Sequence, residues 1–341
     1  MTIKVLGNTI IDLSRTGNIN NVLSIAAGGS LRINSDDSFQ GTVAGYASGG
    51  FTNPGVILSQ TDKFPFATDT NATNIGSLTQ SRQQCSGQSS YVNGYSSAGL
   101  TPTPDFLNTI DKSPFSVDTN STDVGDLTVT RNRPGGQSSS THGYVTGGNL
   151  PPGGALNTID KFPFSIDSNS SDIGDLSQSR QVGAGQSSST HGYSSGGYAS
   201  APVGSLNTID RFPFSTDTNA TDIGDISEHR ARCSGQSSTT HGYLAGGYSQ
   251  SPTPPNLWRS TIDKFLFSSS ANGSDIGDLT ALIYGASGQS STVSGYSNGG
   301  RNNGGGTSTN VIEKFPFATD TNATDIGDLS KSKEGAAGQQ N

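Results

Sequence analysis

Residues 185–226 read GQSSSTHGYSSGGYASAPVGSLNTIDRFPFSTDTNATDIGDI, and this wording returns along nearly the whole chain. Three anchors fix the period. A Gly-Tyr-x-x-Gly-Gly segment (Ala-Gly in the second copy) places its tyrosine at Tyr46, Tyr95, Tyr144, Tyr193, Tyr243 and Tyr296, at intervals of 49, 49, 49, 50 and 53 residues. Ile-Asp-Lys-Phe-Pro-Phe, with small variations, ends at Phe66, Phe115, Phe164, Phe214, Phe267 and Phe317. Asp-Ile-Gly-Asp-Leu, again with variations, sets its glycine at Gly76, Gly125, Gly174, Gly224, Gly277 and Gly327. Six copies of a short-segmented unit predict the blades of a β-propeller rather than a helical solenoid.

Each copy reads as four short strands. In the fourth copy these are GQSSST, then GYSSGG after a tight Thr-His-Gly turn, then NTIDRFPF after a loop of variable length, then DIGDI after the turn DTNAT. Turn residues separate all four. No window carries a long apolar period of 3.6, so almost no helix is expected. The small residues of GQSSS suit the crowded strand nearest the axis. The Phe and Ile of the third strand suit the wedge between blades, where both faces of a sheet are covered. The proline of Phe-Pro-Phe removes a ladder donor and marks a bulge or the end of pairing.

These residues resemble kelch repeats. Gly196-Gly197 ends the second strand, Ile209 to Phe214 with Asp217 makes the third, and Ile223 to Ile226 with Arg230 makes the fourth. The resemblance covers about residues 40–341. Ile173, Ile223 and Ile326 stand where the family usually has tryptophan, so the set is divergent. The wording IDKFPFATDTNATDIGDL is similar to repeats in virion proteins of tailed phages of marine cyanobacteria and similar hosts. VLGNTIIDLSRTGNINNV, at the head, resembles the opening of phage tail-fibre chains. The resemblance implies a structural or host-recognition role.

Only 30% of the 341 residues are hydrophobic, and 46 are glycine. That is lean for a core, but the ordered recurrence of Phe, Ile, Val and Leu argues against disorder. Net charge is −8 with 13% charged residues. With no basic run, nucleic acid is not expected as a partner. No apolar run reaches spanning length, so no membrane insertion is expected. MTIKVLGNTI lacks the apolar stretch of a signal peptide, which points to assembly in a host cytoplasm. Cys85 and Cys233 occupy one repeat position three copies apart. In a six-fold ring they stand opposite each other, beyond disulfide reach, so two free thiols are expected.

Residues 1–37 lie outside the repeat and residues 38–341 form the expected propeller. In the arm, Ile3 to Leu6 and Thr9 to Asp12 read as strands around Gly7-Asn8, and Asn18 to Ile25 as a third. Its apolar residues Ile3, Val5, Ile10, Ile11, Val22 and Leu23 are the candidate docking surface for other virion proteins or for a homo-oligomer such as a trimer. A flexible tail is the alternative. Residues 335–341, GAAGQQN, carry innermost-strand wording and then stop, which predicts that they complete the first blade.

The loops between second and third strands differ most between copies: LTPTPDFLN, NLPPGGALN, YASAPVGSLN, YSQSPTPPNLWRS and RNNGGGTSTN. Variable loops on one face of a repeat fold are the usual place for binding. The candidate receptor-binding residues are Phe106, Tyr198, Tyr248, Trp258, Arg259 and Arg301. Trp258, the sole tryptophan, either stacks on a sugar or covers the rim of its blade.

Catalytic and metal sites are not expected, and no cofactor. His142, His191 and His241 share one turn position, which spaces them around a ring, whereas a metal needs converging ligands. DTNATDIGD faintly resembles a calcium loop but lacks its order and its distant glutamate. Asp and Asn bonding nearby backbone in the turn explains it, as it explains the six in-register sequons at Asn71, Asn120, Asn169, Asn219, Asn272 and Asn322. Gln88, Gln137, Gln186, Gln236 and Gln289 are expected to face neighbouring innermost strands or the channel. The aspartates read as turn-bound and offer no unique acidic pair for a glycosidase. The expectation is an all-β, six-bladed kelch-like propeller with a short N-terminal β arm. As a non-enzymatic phage virion component (tail fibre, spike or surface appendage), it would bind a host-surface glycan or protein from the particle surface. The alternatives are a purely architectural decoration or adaptor protein, and a glycan-active enzyme.

Overall fold

The repeated unit folds as a four-stranded antiparallel sheet, and six such sheets form a six-bladed β-propeller. The computed structural model describes residues 40–341 except 54, 201–202, 250–256 and 304–305, together with two strands near the N-terminus. The described residues contain no helix. The chain divides into two compact units, Met1–Asp37 and Ser38–Asn341. In the first, Thr2–Val5 pairs antiparallel with Thr9–Asp12, with Ile3 opposite Ile11, the hairpin expected around Gly7-Asn8. The third strand expected at Asn18 to Ile25 lies outside the described residues.

Blade 4 shows the pattern, from axis to rim: Ala184–Ser187, His191–Ser195, Thr208–Pro213 and Thr221–Asp225. The third strand stops at Pro213, and its counterparts stop at Pro65, Pro114, Pro163 and Pro316 and, where leucine replaces proline, at Leu266, so the proline falls where pairing ends in any case. Blade 1 takes its innermost strand from the other end of the chain: Ala337–Gln340 pairs with Ala44–Ser48. Gly41 N donates to Ser290 O at 2.8 Å, and Thr42, Val43 and Ala44 all donate to Asn341 O, which locks the two ends together.

The sequence of each strand is explained by the next blade. A Cβ on Gly185 would meet Gly136 O at 2.0 Å, and the equivalent glycines Gly87, Gly235, Gly288 and Gly338 are as crowded. Only glycine lets six innermost strands converge so closely. The following glutamine reaches outward. Nε2 of Gln88, Gln137, Gln186, Gln236, Gln289 and Gln339 donates to the carbonyl of the second-strand tyrosine one blade on, at 2.7–3.2 Å. Gln88, Gln137, Gln186 and Gln236 also line the axial space, one of the two placements expected from sequence. Each bridges to the second strand of the next blade, and Nε2 of all but Gln186 also donates to a nearby hydroxyl. The residue after them closes a ring around the axis: Ser89, Ser138, Ser187 and Ser237 N each donate to the next serine hydroxyl, and Gln340 completes the circuit between Ser290 and Ser89. The space inside is about 60 Å³, room for a water or two.

Aromatic side chains fill the wedges. Each second-strand tyrosine stacks on the last phenylalanine of the next blade's Phe-Pro-Phe, from Tyr46 on Phe115 round to Tyr296 on Phe66, at 4.6–4.8 Å. The first phenylalanine of that motif lies over its own second-strand glycine: a Cβ on Gly192 would meet the Phe212 ring at 2.3 Å.

Third-strand aspartates are not turn-bound, contrary to the sequence reading. Asp62, Asp111, Asp160, Asp210 and Asp263 are fully buried and pair with Lys333, Arg82, Arg131, Arg180 and Arg230, at 2.7–3.1 Å. A hydroxyl from the same preceding segment, such as Ser177 Oγ on Asp210, completes each carboxylate. Burial without these partners would be prohibitive, so the cation that follows five of the six fourth strands is a blade-to-blade rivet. The sequon asparagines act similarly. Oδ1 of Asn71, Asn120, Asn169, Asn219, Asn272 and Asn322 accepts a backbone N–H from the outermost strand of the preceding blade, at 3.0–3.1 Å. Their role is inter-blade rather than local to the turn.

Candidate functional site

Innermost strands start, and second strands end, on the same face of the ring. Here each copy places three neighbouring side chains whose identity changes from blade to blade. Directly after the second-strand glycine pair come Phe51, Leu100, Asn149, Tyr198, Tyr248 and Arg301. Opposite each, paired backbone to backbone, stand Glu334, Gln83, Asn132, Gln181, Ala231 and Tyr284. The following residue is Gly335, Gln84, Arg133, Val182, Arg232 or Gly285. Where they are described, the expected variable loops form ribbons that prolong the second and third strands. Examples are Tyr198–Ala199 on Gly204–Ser205, and the long pair His241–Ser249 and Leu257–Leu266 in blade 5.

The third position of this rim forms a second closed ring. Gln84 N donates to Gly335 O, Arg133 N to Gln84 O, Val182 N to Arg133 O, Arg232 N to Val182 O, Gly285 N to Arg232 O and Gly335 N to Gly285 O, at 2.6–3.0 Å. All six residues adopt the left-handed conformation this requires, with φ between 53° and 70°. Glycine adopts it without steric cost, and two blades use glycine. The other four hold Gln, Arg, Val and Arg there, and a β-branched residue at such φ is a genuine outlier. Side chains are thus kept at the axial mouth against a local conformational cost.

They converge on blades 3 to 6. A groove of about 530 Å³ is lined by Tyr198, Tyr248, Trp258 and Tyr284, by Arg133, Arg232 and Arg301, and by Gln181, Val182 and Ala231. It adjoins the axial mouth, a space of about 110 Å³ that Cys85, Cys233 and Glu334 also line. Trp258 lies cross-strand from Tyr248 and packs its edge on Tyr284, with centroids 4.5 Å apart. Arg133 is held by two glutamines, donating from Nε to Gln84 Oε1 at 3.0 Å and from Nη1 to Gln181 Oε1 at 2.9 Å. Burial, and then the charge of Arg232, push it down to about 10. Burial also raises the Glu334 carboxyl above its ordinary value, opposed by Arg232 and Arg301.

No family model matches this chain, and no curated protein matches it. The site is therefore read from its own chemistry.

Of the six residues singled out in the loops, Tyr198, Tyr248, Trp258 and Arg301 meet in this one groove. Phe106 does not; it lies in blade 2, cross-strand from Leu100. Arg259 does not either, because Glu228 accepts from its Nε and holds it at the edge of blade 5. Ile3, Val5, Ile10 and Ile11 fall on the two N-terminal strands, and Val22 and Leu23 lie outside the described residues. Sequence reasoning missed Arg133, Val182, Arg232 and Tyr284. The signal was present: between the fixed Arg and the fixed Gly-Gln, the copies read QQCS, NRPG, QVGA and ARCS.

On the opposite face stand His142, His191 and His241, one per blade, each with Nδ1 2.8 Å from the preceding threonine hydroxyl. Burial lowers all three below the usual histidine value. His229 Nδ1 lies 3.1 Å from Ser205 O. Among the described residues no three His, Cys, Asp or Glu side chains gather as a metal site would require. Cys85 and Cys233 are both free, in blades 2 and 5.

Proposed function

We propose that this chain is a non-enzymatic recognition module of a phage particle, a tail fibre, spike or surface appendage, that binds a host-surface glycan or protein through the rim of the propeller. One observation carries the binding reading. Four aromatic and three arginine side chains collect in one groove, at positions where otherwise near-identical copies differ. Trp, Tyr and Arg are the residues that dominate binding energy at recognition surfaces, and a flat aromatic face beside fixed donors suits a sugar ring. The phage assignment is supported by the resemblance of IDKFPFATDTNATDIGDL to virion repeats and of the head to tail-fibre openings.

The point at which the chain joins the ring fits this reading. Gly41 attaches beside Ser290 and Asn341, at the end of the axis away from the groove. The test is a glycan and host-envelope array probed with the whole purified chain and with Trp258→Ala. Selective binding that the variant loses supports recognition. Absence of binding, with the rim buried against other virion proteins in a particle reconstruction, would make the propeller architectural.

A further inference from the structure

The charge of the groove runs against that of the chain. The protein carries −8, yet the three charged side chains lining the groove are all arginines, and no carboxylate lines it. Two of them are engaged. Arg133 donates to Gln84 and Gln181, and Arg301 donates to Gly306 O and lies 4.0 Å from Glu334. Arg232 differs. Its guanidinium makes no hydrogen bond to any described residue and rests 5.2 Å above the ring of Tyr284. A cation on an aromatic face is positioned without using its N–H donors. Arg232 is thus held in place with its planar fork unspent, the geometry that takes an oxyanion in two parallel bonds. The like charge of Arg133 is close enough to act on Arg232, and Glu334, at the adjoining mouth, acts on it with the opposite sign without accepting a hydrogen bond from it.

We propose that the groove takes an acidic saccharide, its ring against Trp258 and Tyr248 and its carboxylate or sulfate on Arg232. The proposal rests on the glycan form of the recognition reading above. The aromatic face selects a sugar; the free guanidinium selects one bearing a negative group.

The experiment is titration calorimetry of the whole chain, of Arg232→Gln and of Trp258→Ala. The probes are a uronate oligosaccharide and its carboxyl-reduced form, a sulfated oligosaccharide and its desulfated form, and inorganic sulfate, each at low and high salt. The parent is expected to prefer the acidic member of a pair by about tenfold to a hundredfold, the worth of one charge-assisted contact, with the preference shrinking in salt. Arg232→Gln should erase the preference within each pair, while Trp258→Ala weakens binding of both members. The uronate and sulfate arms decide which anion is taken. Equal affinity for both members of each pair, or a preference that survives Arg232→Gln, overturns this inference and leaves glycan recognition standing. Inorganic sulfate binding as tightly as the sugars overturns the saccharide part. Absence of binding to all sugars, in a parent of unchanged melting behaviour, removes the glycan reading itself.

Discussion

Thr280 directs both its backbone N–H and its hydroxyl at one carboxylate oxygen of Glu313. Five blades pair this carboxylate with a buried cation. In blade 6, Ile283 occupies the cation's place in the repeat and the aspartate has become glutamate. Burial raises the Glu313 carboxyl above its ordinary value, with the Thr280 bonds opposing. Its folded pKa therefore exceeds its unfolded one. The associated stability is complete below the unfolded value, about 4.3, and is lost as pH rises through the folded value. Glu313→Gln keeps an acceptor for Thr280 and cannot ionise. Its melting temperature should gain on the parent as pH rises from acid to neutral; a gap that stays constant would show that Glu313 titrates as an ordinary carboxylate.

The paired blades make the opposite forecast. Asp210→Ala strands Arg180 in the interior and should cost about 3–5 kcal/mol. Asp217→Ala removes the exposed partner of Lys161, more than half solvent-accessible, and should cost less than about 1 kcal/mol. Urea denaturation of the two variants measures the contrast. Equal losses would mean that the buried pair is not a rivet.

Crowding at the axis separates two glycines. Gly185→Ala drives a Cβ into Gly136 O and should cost at least about 3 kcal/mol, since the obstacle is backbone in a closed ring. Gly154→Ala, with nothing within 4 Å, should stay within about 0.5 kcal/mol. Thermal melts of both distinguish a ring that cannot spread from one that breathes.

Val182 sits at φ 53°. Val182→Gly relieves about 1–3 kcal/mol of strain and adds about 0.5–1 kcal/mol of unfolded-state entropy, so a net gain near 1 kcal/mol is expected. A destabilised variant would mean that the valine side chain packs well enough to outweigh its backbone.

Removal of residues 335–341 takes the innermost strand from blade 1 and opens both the serine ring and the mouth ring. The truncated chain should lose its single cooperative transition, read by calorimetry. A sharp, unshifted transition would show that five intact blades and an incomplete sixth suffice.

Much of this fold was legible because it is local and repeated. Tyrosines 49 residues apart count the blades, and the proline of Phe-Pro-Phe marks where pairing stops. What was not legible depends on which copy lies beside which. Gln186 meets Tyr243 O, Asn219 meets Asp175 N, and Asp210 meets Arg180, all across a blade boundary. Spacing within one copy carries no trace of those partners, so Asp210 and Asn219 read as ordinary turn chemistry. The groove was half visible for a related reason. Tyr198, Tyr248, Trp258 and Arg301 stand in obvious loops, whereas Arg133 and Arg232 stand in short connections. Their placement at the mouth follows from a left-handed backbone that no residue type there advertises.

The bonds that close the mouth ring run from main-chain atom to main-chain atom. Gln, Arg, Val or Gly can each occupy it, and the bond to the next blade remains. Architecture and specificity are thus written in different atoms of the same residues. One blade can be exchanged for another, with its three rim side chains, and the neighbours still find every carbonyl and amide they require. Such a ring can carry a different set of rim side chains with no need to refold its core around each one.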